Sequence, residues 1–103
     1  MSFTIMEEQT CHIGILYARI FIPQAQSLKD KRSVLKSLKD RVRDQFNVSI
    51  AEIGDLDKWQ LSTLALVSVG NDQREIDATL QHLLIFIEQN SPAEITEHEI
   101  DFI

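Results

Sequence analysis

An α+β sandwich is the fold class this sequence predicts. Three observations predict it: four apolar stretches rich in β-branched residues, two amphipathic helical stretches, and their succession in the order β-α-β-β-α-β. The 103 residues suffice for one compact domain and are too few for two of ordinary size. An apolar fraction of 44% beside a charged fraction of 25% is that of a globular chain, which removes compositional support for disorder, collagen or a coiled coil.

The elements follow in order. From His12 to Pro23 apolar residues occupy both alternating phases, the pattern of a strand covered on two faces, and Pro23 closes it. Ser27 stands three residues before Asp30, so its hydroxyl can cap backbone donors while the carboxylate sits in the positive first turn of a helix starting near Leu28. Its apolar stripe is Leu28, Leu35, Leu38, Val42 and Phe46, with Val34 at the margin. At about 100° per residue the five fall within roughly 80° of arc. Asn47 ends this helix, Val48 to Ile53 form a short second strand, and Gly54-Asp55 announce a turn. The connection from Asp55 to Gln60 leads into a third strand, Leu61 to Val69, close enough to its predecessor for an antiparallel hairpin. Gly70, Asn71 and Asp72 break that run and cap a second helix over Gln73 to Asn90, with Ile76, Leu80, Leu83 and Ile87 on one face. Ser91-Pro92 stop it. Ala93 to Ile103 read as a fourth strand whose apolar phase shifts between Ile95 and the series His98, Ile100, Phe102, which predicts a bulge or a change of partner.

This order is the split βαβ of the ferredoxin-like sandwich, a four-stranded antiparallel sheet with both helices on one face. Residues 11–103 form the single domain and residues 1–10, with Glu7 and Glu8 and no Lys or Arg, are expected to be a disordered leader rather than a signal or transit peptide. No stretch approaches the roughly 20 apolar residues of a membrane span. A cytoplasmic protein without membrane contact is the expectation. In the fold so predicted, Ile13, Ile15, Tyr17 and Phe21 share a strand phase with Arg19, opposite to Leu16, Ala18, Ile20 and Ile22. The third strand is also apolar in both phases. The sheet face away from the helices is then too apolar for water, and a second copy of the chain is its most economical cover, giving a homo-oligomer. Ile15, Tyr17, Arg19, Phe21 and Trp59 are the residues expected at that self-association surface.

Sixteen acids against ten bases give a formal charge of −6, the wrong sign for a nonspecific polyanion binder, so any nucleic-acid contact must be local. Locality is present. Lys29, Arg32, Lys36, Lys39 and Arg43 step by three, four, three and four along the first helix, one shoulder beside its buried stripe. Residues 27–47 carry a net +4 and the rest of the chain −10, and Asp30, Asp40 and Asp44 are expected on the adjoining side, segregated from the cations. Such a ridge can neutralise several phosphates of folded RNA, with Arg suited to bidentate contact and Lys to a point charge. The competing reading is a solvated helix face whose basic stems shield the sheet edge.

Tyr17, Arg19 and Phe21 resemble the stacking platform of an RNA-binding sheet, but Leu61 to Gly70 supply neither an aromatic nor a base on the neighbouring strand, which favours self-association for the three. Trp59, the single tryptophan, lies in an acidic turn with Asp55 and Asp57, where packing over the hairpin or at a subunit contact is expected. Two isolated carboxylates fall short of the oxygen ligands calcium takes, and one cysteine with three scattered histidines offers no zinc spacing, so neither metal nor cofactor is expected. No glycine-rich phosphate loop, nucleophile elbow or paired helical histidines point to catalysis. A noncatalytic protein is the expectation.

Ser27-Leu28-Lys29-Asp30-Lys31-Arg32, with Pro23 before it and Phe46-Asn47-Val48-Ser49, Ala51-Glu52, Trp59-Gln60 and Gly70-Asn71-Asp72 after it, closely resembles the YlxP-like family of small bacterial proteins of unknown function, from about His12 to Phe102. The resemblance implies a ferredoxin-like fold and, from the genes for translation initiation, antitermination and ribosome maturation that accompany the family, a role near the small ribosomal subunit or its assembly. The family's basic signature corresponds here to Lys29, Lys31 and Arg32. Lys31 departs from the ridge by falling in the apolar arc, which assigns it to a sheet edge or to snorkelling rather than to RNA. Two functional readings result: docking on ribosomal RNA or a small-subunit assembly intermediate through the basic helix, and a homo-oligomeric interaction module with an acidic protein partner and no nucleic acid.

Overall fold

The computed structural model describes residues 2–4 and 10–103. Strands are β1 (Ser2–Thr4), β2 (Thr10–Phe21), β3 (Ser49–Gly54), β4 (Leu61–Gly70) and β5 (Glu94–Phe102), and helices are α1 (Leu28–Gln45) and α2 (Gln73–Gln89). β2 lies between β4 and β5, β3 lies outside β4, and every pairing is antiparallel. This is the ferredoxin-like arrangement. β1 adds to it: Ser2 pairs with His12, whose other neighbour is Gly70 of β4, so β1 continues the β5 edge of the sheet. The structure therefore differs from a disordered leader at Ser2–Thr4, which gain ladder hydrogen bonds from the first residues of β2, and at Thr10, which opens β2. Residues 1 and 5–9 of that leader lie outside the described residues.

Each helix is started by the side chain the sequence offers. Ser27 Oγ accepts from the Asp30 amide at 3.0 Å, while Asp30 accepts from the Gln26 amide at 3.0 Å, which closes a reciprocal cap. Asp72 accepts from the Arg74 amide at 2.9 Å. Leu35, Leu38 and Val42 of α1 and Ile76, Leu80, Leu83 and Ile87 of α2 are buried with Leu16, Ile20, Ile22, Leu64 and Leu66 of the central strands in one core. Phe46 and Phe86 close one end of it edge to face, with ring centroids 5.2 Å apart. The phase shift in the last strand is a bulge: Arg19 pairs with Glu97 but Ile20 with Ile95, and the intervening Thr96 donates its hydroxyl to the Arg19 carbonyl at 3.2 Å.

Close approach of α2 to β2 depends on Gly14. A Cβ there would stand 2.5 Å from Ile76 Cγ2 and 3.0 Å from Leu80 Cδ1. Ile76 Cγ2 sits on a branched Cβ near the helix backbone, so the helix itself must yield. Gly14→Ala is expected to lower the unfolding free energy by about 1–3 kcal/mol, as overpacking does, and urea denaturation checks it.

Candidate nucleic-acid interface

α1 carries two populations of cations. Lys31 is fully buried, although it belongs to the most basic segment of the chain. Its ammonium donates to the carbonyls of Asp55 at 2.8 Å, Leu61 at 3.1 Å and Leu56 at 3.3 Å, and stands 2.9 Å from Glu52 Oε2. Glu52 is held in turn by the Ser62 hydroxyl at 2.7 Å. A buried charge survives only when paired and hydrogen-bonded, and here every bond of the ammonium goes to β3, β4 or the turn between them. The first turn of α1 is thereby locked to the β3–β4 connection. The connection itself turns at Asp55, the one non-glycine residue with positive φ among those described (60°), a conformation aspartate tolerates. The Thr63 hydroxyl and then Lys58 hold the Asp55 carboxyl below its ordinary 3.8. With the folded value depressed, the support this carboxylate lends the turn is present at neutral pH and is lost as pH falls through that lowered value.

The second population faces outward. Lys29, Arg32, Lys36 and Arg43 are exposed and Lys39 is half-buried. Arg32, Lys36, Lys39 and Arg43 line one groove of about 180 Å³ between α1 and β3, together with Leu35, Asp40 and Glu52. The structure thus brings four of the five expected residues to one groove and leaves Lys29 beyond its N-terminal end. It also corrects the expected segregation of charge. Asp40 follows Lys36 by one helical turn, and its carboxylate lies 3.1 Å from the Lys36 ammonium, both groups being more than half exposed. Screened by water, such a pair is worth little and leaves the lysine available to a stronger anion. Arg41 stands apart from the groove and donates to the Asn90 carbonyl at 2.6 Å, tying α1 to the end of α2. Glu52 is the groove residue that helical spacing alone did not reveal, because it arrives from β3.

Ile15, Tyr17, Arg19 and Phe21 share the sheet face opposite the helices, where Arg19 pairs with Glu97. Trp59 does not join them in the strand ladder. It sits in the β3–β4 connection and is 57% exposed, rather than packed over the hairpin. Among the described residues no three His, Cys, Asp or Glu side chains are grouped to hold a metal ion, and no helix is long and apolar enough to cross a membrane.

The family model described as "Protein of unknown function (DUF503)" matches residues 13–100, from within β2 into β5. The chain belongs to this family. A relative, "Uncharacterized protein YlxP" of Bacillus subtilis (strain 168), is 41% identical over 76 residues, 74% of this chain and 83% of its own length. Among solved structures the chain is similar to "De novo designed protein Foldit4", with a TM-score of 0.50 and 17% identity over 89% of this chain and 96% of that one, a likeness of fold alone. The YlxP-like resemblance read from the motifs around α1 is thus the family found by comparison.

Lys31→Met removes the ammonium and leaves Glu52 and three carbonyls without it. Breaking one side of a buried pair costs about 3–5 kcal/mol, so the variant is expected to lose that much in urea unfolding, whereas Lys36→Met on the exposed ridge changes stability little.

Proposed function

We propose that this protein is a noncatalytic docking factor that binds ribosomal RNA, or a small-subunit assembly intermediate, through the outer shoulder of α1. The observation that carries the reading is the convergence of Arg32, Lys36, Lys39 and Arg43 on one groove in a chain whose net charge is −6. A globally negative protein is repelled by a polyanion except where its cations are concentrated, so the ridge both attracts RNA and fixes the orientation of approach. The guanidinium fork at Arg32 suits bidentate phosphate contact, Arg43, whose Nη2 also donates to the Ile50 carbonyl at 3.5 Å, offers its remaining donors, and Lys36 and Lys39 stand between them as point charges. Lys31 takes no part in the contact, because its donors are spent inside the fold. Its role is to hold the helix from which the ridge projects. The gene company of YlxP-like proteins supports the ribosomal choice of RNA.

Four phosphates neutralised correspond to a binding constant that falls roughly a hundredfold between 50 and 200 mM salt, at a slope of about 0.8 per phosphate. Cosedimentation with small-subunit particles across that range is the measurement. Replacing Lys36, Lys39 and Arg43 together with Glu is expected to abolish binding while leaving the far-UV circular dichroism unchanged. Retention of binding by that variant overturns the reading, and a complex that survives nuclease treatment assigns the ridge to an acidic protein instead.

A further inference from the structure

The sheet face opposite the helices has a pattern beyond its apolar character. Cross-strand partners point to the same side of a sheet, so β2 and β4 present there the pairs Ile13–Val69, Ile15–Val67, Tyr17–Ala65, Arg19–Thr63 and Phe21–Leu61. Large and small residues face each other across the Tyr17–Ala65 rung. The outer strands are unlike one another. β5 sets Glu94, Glu97, Glu99 and Asp101 along its edge, all exposed, and of these, among the described residues, Glu97 alone has a cation, Arg19. β3 sets Ser49 and Ala51 along the other, without charge. The Val69 side of the patch is open, 60% exposed, in a chain taken alone.

We infer that this face is a homodimer interface in which the two-fold axis runs along the strands, midway between β2 and β4. That operation lays β2 of one copy over β4 of the other. Tyr17 is then set over the partner copy's small rung position at 65, Ile15 over 67 and Phe21 over 61, each contact occurring twice. It also lays the carboxylates of β5 over the neutral β3 edge. The alternative two-fold, across the strands, stacks β2 on β2 and β5 on β5. It brings Tyr17 against its own copy, leaves alanine facing alanine, and drives two rows of carboxylates together in a dry interface, where like charges are most costly. Shape and the placement of the carboxylates select the same axis, which also sets the two Arg19 guanidiniums side by side across it, each beside the carboxylates of Glu97 and Glu99. A hollow of about 510 Å³ whose lining includes Tyr17, Arg19, Thr63, Glu97 and Glu99 receives the partner copy's Arg19, the residue this operation places above Thr63. There it meets Glu99, which has no cation within its own chain among the described residues.

The area is sufficient. At about 3.3 Å per residue and about 4.8 Å between strands, the β2–β4 ladder with its two neighbours projects roughly 600 Å², and side-chain relief brings the accessible area of such a patch to the order of the ~800 Å² each partner buries in a standard interface. Because the helices lie on the outer layers of the resulting sandwich, the two α1 ridges face away from each other and remain free. The inference is independent of what the ridge binds.

Light scattering on the full chain at micromolar concentration is expected to give twice the 11.8 kDa of one chain. Ile15→Glu and Val67→Lys each place an unpaired charge in the interface and are expected to be monomeric with unchanged far-UV circular dichroism. Mixed in equal amounts they are expected to regain the dimer mass, because the axis along the strands sets position 15 of one copy over position 67 of the other. A wild-type mass of one chain, dimers formed by either variant alone, or a mixture that stays monomeric each overturns the proposal; a monomeric wild type leaves the face to a different partner.

Discussion

One buried ammonium decides how this molecule is arranged. Lys31 enters the core at the first turn of α1 and finds there two carbonyls of the β3–β4 connection, the carbonyl of Leu61 at the start of β4, and the Glu52 carboxylate. Desolvating an ammonium costs several kcal/mol, offset only when its donors and its charge are all matched. The match requires that the connection follow one course, through the left-handed turn at Asp55 and back at Leu61. It requires equally that α1 sit in one rotational setting over the sheet. Rotating the helix by a single residue, about 100°, would expose the ammonium and bury the ridge. The position of the cationic shoulder is therefore a consequence of the cage beneath it.

The same partition extends across the molecule. On one outer surface, cations stand along α1 beside the β3 edge; on the opposite surface, an apolar platform is bordered by the carboxylates of β5. The net charge of −6 conceals both, since it averages a basic helix with an acidic remainder. Small residues permit the layers to come together. Gly14 admits α2 to β2 on the helix side, and Ala65 leaves room beside Tyr17 on the other.

Much of this was legible in the sequence, for identifiable reasons. Strands and helices announced themselves through period, and their ends through Ser27, Asp72 and Pro92, whose local chemistry acts within a few residues. The bulge in the last strand was visible as a phase slip at Ile95, because burial of one face forbids the slip without an extra residue. Periodicity also set Lys31 apart from the other cations. It did not reveal the cage, because three of its acceptors are backbone carbonyls between Asp55 and Leu61 that carry no residue signature, and the fourth, Glu52, arrives from β3. The Lys36–Asp40 contact was missed because an angular projection treats side chains as radial lines, whereas lysine spans a full helical turn. β1 escaped notice because Ser2–Thr4 is too short to show any period, and its pairing is decided by the free edge of β2 rather than by its own residues.

Lysine acylation footprinting tests the central claim, that one helix buries one cation in order to offer the others. In the free protein Lys29, Lys36 and Lys39 are expected to react while Lys31 stays unlabelled. Saturating small-subunit particles are expected to protect Lys36 and Lys39 and to leave Lys31 as it was. Equal labelling of Lys36 and Lys39 with and without particles, or ready labelling of Lys31 in the free fold, would contradict the account.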